Sequence, residues 1–160
     1  MLTCGIQLGC GSPPLETEVP YYEYPRPALT VDTVLFRLAS NREYEVLLIQ
    51  RGSEPFKGSW ALPGGFVEEG ETLEAAARRE LLEETGLDPH WLKQFGVYGD
   101  PGRDPRGWVV SVAFAVWVTG SDVAKAGSDA VQVQWHATNN LPHLAFDHGV
   151  ILHDALKAKP

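Results

Sequence analysis

The chain has 160 residues, 44% of them hydrophobic and 21% charged, the size and composition of one globular domain with its own core, which argues against two packed domains. Thirteen Lys and Arg against twenty-one Asp and Glu leave a formal charge of −8, a balance that repels nucleic-acid backbones and makes duplex DNA a poor partner. The longest apolar stretch, Val109 to Val118 with Ser111 inside it, falls far short of the roughly 20 residues of a membrane helix, and the opening MLTCGIQLGCG has neither the positive region nor the apolar run of a secretory leader, so the expected location is the cytoplasm.

Residues 1–25 mix Gly, Pro, Ser and Glu without helical or strand periodicity and predict an N-terminal arm, leaving 26–160 as the folded domain. Cys4 and Cys10, the only cysteines, lack the second pair a zinc site needs. Chance placement, a short-loop disulfide and a half-site shared with another chain all remain open for them. Residues Leu29 to Leu38 and Tyr44 to Gln50 are rich in β-branched and aromatic residues around the turn-like Ser40-Asn41-Arg42, and predict a hairpin. A Gly- and Pro-rich loop follows from Gly52 to Gly70. Leu73 to Thr85 is dense in Ala, Leu, Glu and Arg, with Thr72 placed to cap its start and Gly86 just past its end, and predicts a helix. Trp108 to Thr119 and Val131 to His136 alternate as strands, and Val150 to Lys157 reads as a terminal helix.

The helix and its approach carry the chemistry. Seven acidic and two basic residues fall between positions 68 and 84. Glu80, Glu83 and Glu84 are spaced i, i+3, i+4, which puts them on one helix face. Carboxylates that close repel unless a cation joins them; Arg79 can neutralise one, and a divalent cation with hard-oxygen preference answers the rest, the alternative being a solvated acidic face. Just upstream, Leu62-Pro63-Gly64-Gly65 lets bare backbone approach a ligand.

Gly65, Glu71 eight residues before Arg79, then Arg79-Glu80-Leu81-x-Glu83-Glu84-x-Gly86-Leu87 match the Nudix box at every defined position. The chain resembles the Nudix hydrolase family. The resemblance implies an α/β fold, an α/β/α sandwich around a mixed sheet, and Mg²⁺- or Mn²⁺-dependent hydrolysis of a nucleoside diphosphate linked to another moiety. It implies Glu80, Glu83, Glu84 and the Gly64 carbonyl as metal ligands, with Gly65, Glu71 and Gly86 structural and Arg79 paired to Glu71. Catalysis is expected from Glu80, Glu83 and Arg79, together with an acid outside the box. No Glu follows Glu84, so Asp129 is the candidate for that acid, a surface turn residue being the other reading; Gln132 cannot serve as a base.

Arg103 and Arg106, in the stiff segment GDPGRDPRG, form a candidate anion clamp, the alternative being a turn whose Arg and Asp residues pair with one another. That segment and Leu144-Ala145-Phe146-Asp147-His148 resemble the ADP-ribose pyrophosphatase-like Nudix subgroup, which implies ADP-ribose cleavage to AMP and ribose 5-phosphate. Tyr98, Phe66 and Trp108 are candidates to stack an adenine, although aromatics in so small a domain are more often core. His148 is a candidate ligand contact or a structural residue. The cluster Tyr21-Tyr22-Glu23-Tyr24-Pro25 is placed to reach a partner copy, as in some relatives, or to pack on its own domain, and a homodimer is expected. Two rivals stand beside this reading: a Nudix hydrolase of ordinary or oxidised nucleoside triphosphates, and an ADP-ribose-sensing protein without activity.

Overall fold

The computed structural model describes residues 23–118, 126–127 and 130–158. The chain runs β1 (Ala28–Leu38), β2 (Tyr44–Arg51), β3 (Trp60–Ala61), β4 (Gly64–Phe66), α1 (Leu73–Thr85), β5 (Lys93–Tyr98), β6 (Val109–Val118), β7 (Ala130–Ala137) and α2 (His148–Lys157). One seven-stranded sheet is ordered β3-β2-β1-β6-β5, with β4 added to β1 and β7 to β2. β1 and β6 pair in parallel over Ala28–Arg37, and the other pairings between these strands are antiparallel. The sheet is therefore mixed, as the family resemblance implies.

β1 is buried from Thr30 to Phe36 because both sheet faces are covered. Val31 and Leu35 point to the α1 side with Leu47, Ala76, Ala77, Leu81, Val112, Phe114 and Val116. Val34 and Phe36 point to the α2 side with Val46, Leu48, Ala113, Ile151, Leu152 and Ala155. Strand alternation thus feeds two cores, one under each helix. α1 begins where the Thr72 side chain accepts the Ala75 N–H and ends where Gly86, at φ 72°, donates its N–H to the Leu82 carbonyl.

Four elements depart from the sequence reading. β3 and β4 lie inside the stretch read as loop; two and three residues long, they are too short to show a period. β5 was not anticipated, because its only alternation is broken by a register shift between Gln94 and Gly96. α2 starts at His148, two residues before the apolar pattern.

Candidate active site

The site is assembled where β4 and the C-terminal half of α1, which carries Glu80 and Glu84, meet β1. A Cβ on Gly64 would come within 2.1 Å of the Val31 carbonyl oxygen, and one on Gly65 within 2.3 Å of Glu80 Oε1, so both positions need glycine for close approach. The Gly64 N–H donates to Glu84 Oε2 at 2.9 Å, which ties the loop to the last turn of α1.

Arg79 is the hub of the helix face. Its Nε and Nη2 grip Glu71 at 3.2 and 2.7 Å, Nη2 also donates to the Phe66 carbonyl at 2.9 Å, and Nη1 reaches Glu80 Oε1 at 2.8 Å. Glu83 Oε2 lies 3.6 Å from the same Nη1. Glu71 also accepts the Glu68 N–H at 2.7 Å; the Arg79 hydrogen bonds and then this backbone N–H hold its carboxyl below the usual carboxylate range. Glu80 is raised, chiefly by burial, against the pull of Arg79. Glu84, 6% exposed, is pushed up to about 8 by burial, with the Gly64 N–H opposing and Glu80 and Asp32 adding to the shift.

Glu80 and Glu84 line a cleft of about 320 Å³ together with Arg51, Arg103, Arg106 and Phe146, with buried Asp32 and His148 also in its lining. Arg103 is gripped by Asp147 at 2.8 and 2.6 Å, and Arg106 by Asp104 at 2.6 to 3.1 Å. Arg106 lies over the Phe66 and Phe146 rings at 4.9 and 5.4 Å, and Arg51 over Phe146 at 5.0 Å. Arg51 donates Nε to the Pro55 carbonyl at 2.9 Å and, alone of these arginines, has no carboxylate within salt-bridge distance among the described residues. Burial, and then neighbouring Arg106, lower its pKa.

A NUDIX domain model matches residues 28–155. The chain belongs to the Nudix family. The ADP-ribose pyrophosphatase of Methanocaldococcus jannaschii is 48% identical over 139 residues, which are 87% of this chain and 79% of that protein. The ADPR-responsive transcriptional repressor NtrR of Acinetobacter baylyi is 38% identical over 83% of this chain, which spans only 54% of the repressor. Among solved structures, the NUDIX domain of Shewanella oneidensis NrtR complexed with ADP ribose superposes with a TM-score of 0.79 at 34% identity, over 84% of this chain and 89% of that one. A bifunctional NMN adenylyltransferase/ADP ribose pyrophosphatase from Francisella tularensis, complexed with AMP and a Mn ion, gives 0.72 at 27% identity, over 85% of this chain and 43% of that one.

The structure does not bring all the predicted residues together. Gly64, Gly65, Glu71, Arg79, Glu80 and Glu84 meet in one place; Gly86 closes α1 behind them. Glu83, its side chain 49% exposed, lies near Arg79 but does not line the cleft. Phe66, Arg103 and Arg106 line the cleft, but both arginines already hold an aspartate, so neither is the uncommitted anion clamp that their spacing suggested. Tyr98 lies outside the cleft: its hydroxyl donates to Asp154 Oδ2 at 3.3 Å beside α2, and burial, then Asp154, push its pKa up to about 12. Trp108 is 58% exposed and lines neither the cleft nor the groove beside Tyr98. Asp129, Cys4, Cys10, Tyr21 and Tyr22 lie outside the described residues. Arg51 and Asp32 were missed; a charge inside or at the end of an otherwise apolar strand was the available signal.

Among the described residues, no three His, Cys, Asp or Glu side chains stand close enough together to hold an ion. The donor chemistry nonetheless fits a divalent cation. Glu80 and Glu84 bring hard-oxygen carboxylates to one cleft, both are raised in pKa by burial, and Glu84 has no salt-bridge partner among the described residues. No helix among the described residues is long and apolar enough to cross a membrane.

Proposed function

We propose that this Nudix protein hydrolyses the diphosphate of ADP-ribose to AMP and ribose 5-phosphate with Mg²⁺, or Mn²⁺, as cofactor. The observation that carries the reading is the cleft itself, lined both by the box carboxylates Glu80 and Glu84 and by three guanidinium groups. The identity to an ADP-ribose pyrophosphatase over most of both chains supports the choice of substrate.

Arg51, the cleft arginine without a carboxylate partner among the described residues, with the aspartate-paired Arg103 and Arg106 beside it, makes the arginine wall against which a diphosphate is oriented. Phe66, Phe146 and the Arg106 guanidinium offer flat faces for a ring system. Glu80 and Glu84, with Glu83 and the Gly64 carbonyl, are the oxygens that would hold the ion. When bound, the ion neutralises diphosphate charge and lowers the pKa of a water. Glu71 keeps Arg79 in place, and Arg79 in turn aims Glu80 at the cleft. Asp129, preceding β7, is proposed from sequence as the acceptor of the water's proton. The water oxygen bonds to one phosphorus, the bridging P–O bond breaks, and the bridging oxygen leaves on the other phosphate.

A second reading, an ADP-ribose sensor that binds without cleaving, draws on the similarity to the repressor. Comparison of kcat/KM for ADP-ribose, NADH, nucleotide sugars, diadenosine polyphosphates and nucleoside triphosphates, each with Mg²⁺, separates the readings. ADP-ribose is expected to exceed the rest. Preference for a triphosphate overturns the substrate assignment, and calorimetric binding of ADP-ribose without turnover selects the sensor.

A further inference from the structure

Both ring nitrogens of His148 are committed, although the residue lines the cleft and is 4% exposed. Nδ1 accepts the Leu62 N–H at 2.9 Å, so the ring proton is on Nε2, which faces Asp32 Oδ1 at 3.4 Å. Asp32 is fixed in turn by the Ser111 hydroxyl, which donates to its Oδ2. Arg103 lies 3.9 Å from that same oxygen while it grips Asp147, the residue before His148. Neither nitrogen is available to take a proton from water, so this histidine is not a base.

Its contact leads instead to the carboxylates. Leu62 is two residues before Gly64, whose N–H holds Glu84, and three before Gly65, where an added Cβ would run into the Glu80 carboxylate. The adjoining residues anchor the same connection: Ala145, fully buried, donates its N–H to the Trp60 carbonyl at 2.8 Å, and Leu144 bridges Trp60. Phe146, at φ 52°, turns the chain in the left-handed region so that His148 enters α2 facing inward. The segment Leu144 to His148 is thus a buckle between the start of α2 and the loop that carries the box glycines.

We propose that His148 is a positioning residue which, by accepting the Leu62 amide on Nδ1 while Nε2 faces Asp32, sets the Leu62–Gly65 backbone and through it the placement of Glu84 and Glu80. The activity arm of the test rests on the proposed ADP-ribose hydrolysis; the exchange arm does not. In the full chain with Mg²⁺ and ADP-ribose, His148→Ala lowers kcat roughly 10- to 100-fold and leaves KM within about threefold, since the reacting groups are displaced while the arginine wall is intact. His148→Asn, whose side-chain oxygen stands at the place of Nδ1, recovers most of kcat. His148→Gln, whose longer amide reaches toward Asp32 instead, does not. Amide hydrogen exchange by NMR gives the substrate-independent readout: exchange at Leu62 and Gly64 is faster in the Ala variant and restored in the Asn variant. Equal kcat in wild type and the Ala variant, or Asn and Ala variants equally impaired, overturns the proposal, as does unchanged exchange at Leu62 and Gly64. If wild type fails to cleave ADP-ribose, the functional reading falls and the exchange data alone decide on His148.

Discussion

A single methyl group on Gly65 would stand 2.3 Å from Glu80 Oε1, so Gly65→Ala forces the carboxylate out of its place between Arg79 and the cleft. Turnover is expected to fall by about tenfold or more, whereas Gly149→Ala, with nothing within 4 Å of the added carbon, leaves it unchanged. Steady-state kinetics on both variants checks this; equal rates would mean that Glu80 needs no fixed position. The box residues were legible from sequence because their partners are near in the chain: Arg79 lies eight residues from Glu71, next to Glu80 and four from Glu83. Arg103 was legible only as a charge. Its partner Asp147 is 44 positions away, and no local spacing announces such a pair. Tyr98 was misplaced for a related reason, because the Asp154 that holds its hydroxyl is 56 positions away.

At the scale of elements, α1 both carries the carboxylates and buries Ala76, Ala77 and Leu81 completely, so packing is what holds the acidic face together against its own repulsion. Leu81→Ala empties a fully buried site in the core beneath α1 and is expected to cost about 2–5 kcal/mol of unfolding free energy. Chemical denaturation measures it, and a loss below about 1 kcal/mol would mean that α1 is held by its caps and ion pairs instead. This helix was readable because its cap, composition and terminal glycine agree. The short strands beside it were not, since β3 and β4 exist only through pairing with β2 and β1 and carry no pattern of their own. α2 begins at His148, ahead of its apolar period, because its first turn is fastened by polar contacts to the loop of the box.

Over the whole molecule, two buried groups give the metal-free protein opposite responses to pH. Glu84, pushed up to about 8 chiefly by burial, keeps its proton in the native state where the unfolded chain has lost it. Stability is therefore expected to fall as pH rises from about 4.5 toward 8. His148, held below its ordinary value by burial, contributes stability above about pH 6.5, and this is lost as pH falls and the unfolded chain takes up the proton first. Thermal melts of metal-free wild type and Glu84→Gln across pH 5 to 8 separate the two terms. The variant should lose the decline at high pH and keep the decline at low pH; an identical curve in both proteins would contradict the burial argument for Glu84.

The central claim, that the carboxylate-lined cleft hydrolyses ADP-ribose, is tested most directly by incubating ADP-ribose and Mg²⁺ with wild type and with Glu84→Gln side by side and identifying the products by chromatography. AMP and ribose 5-phosphate in equal amounts from wild type, with the rate reduced more than about 100-fold in the variant, is the predicted result; intact ADP-ribose in both reactions, or equal rates, would contradict it.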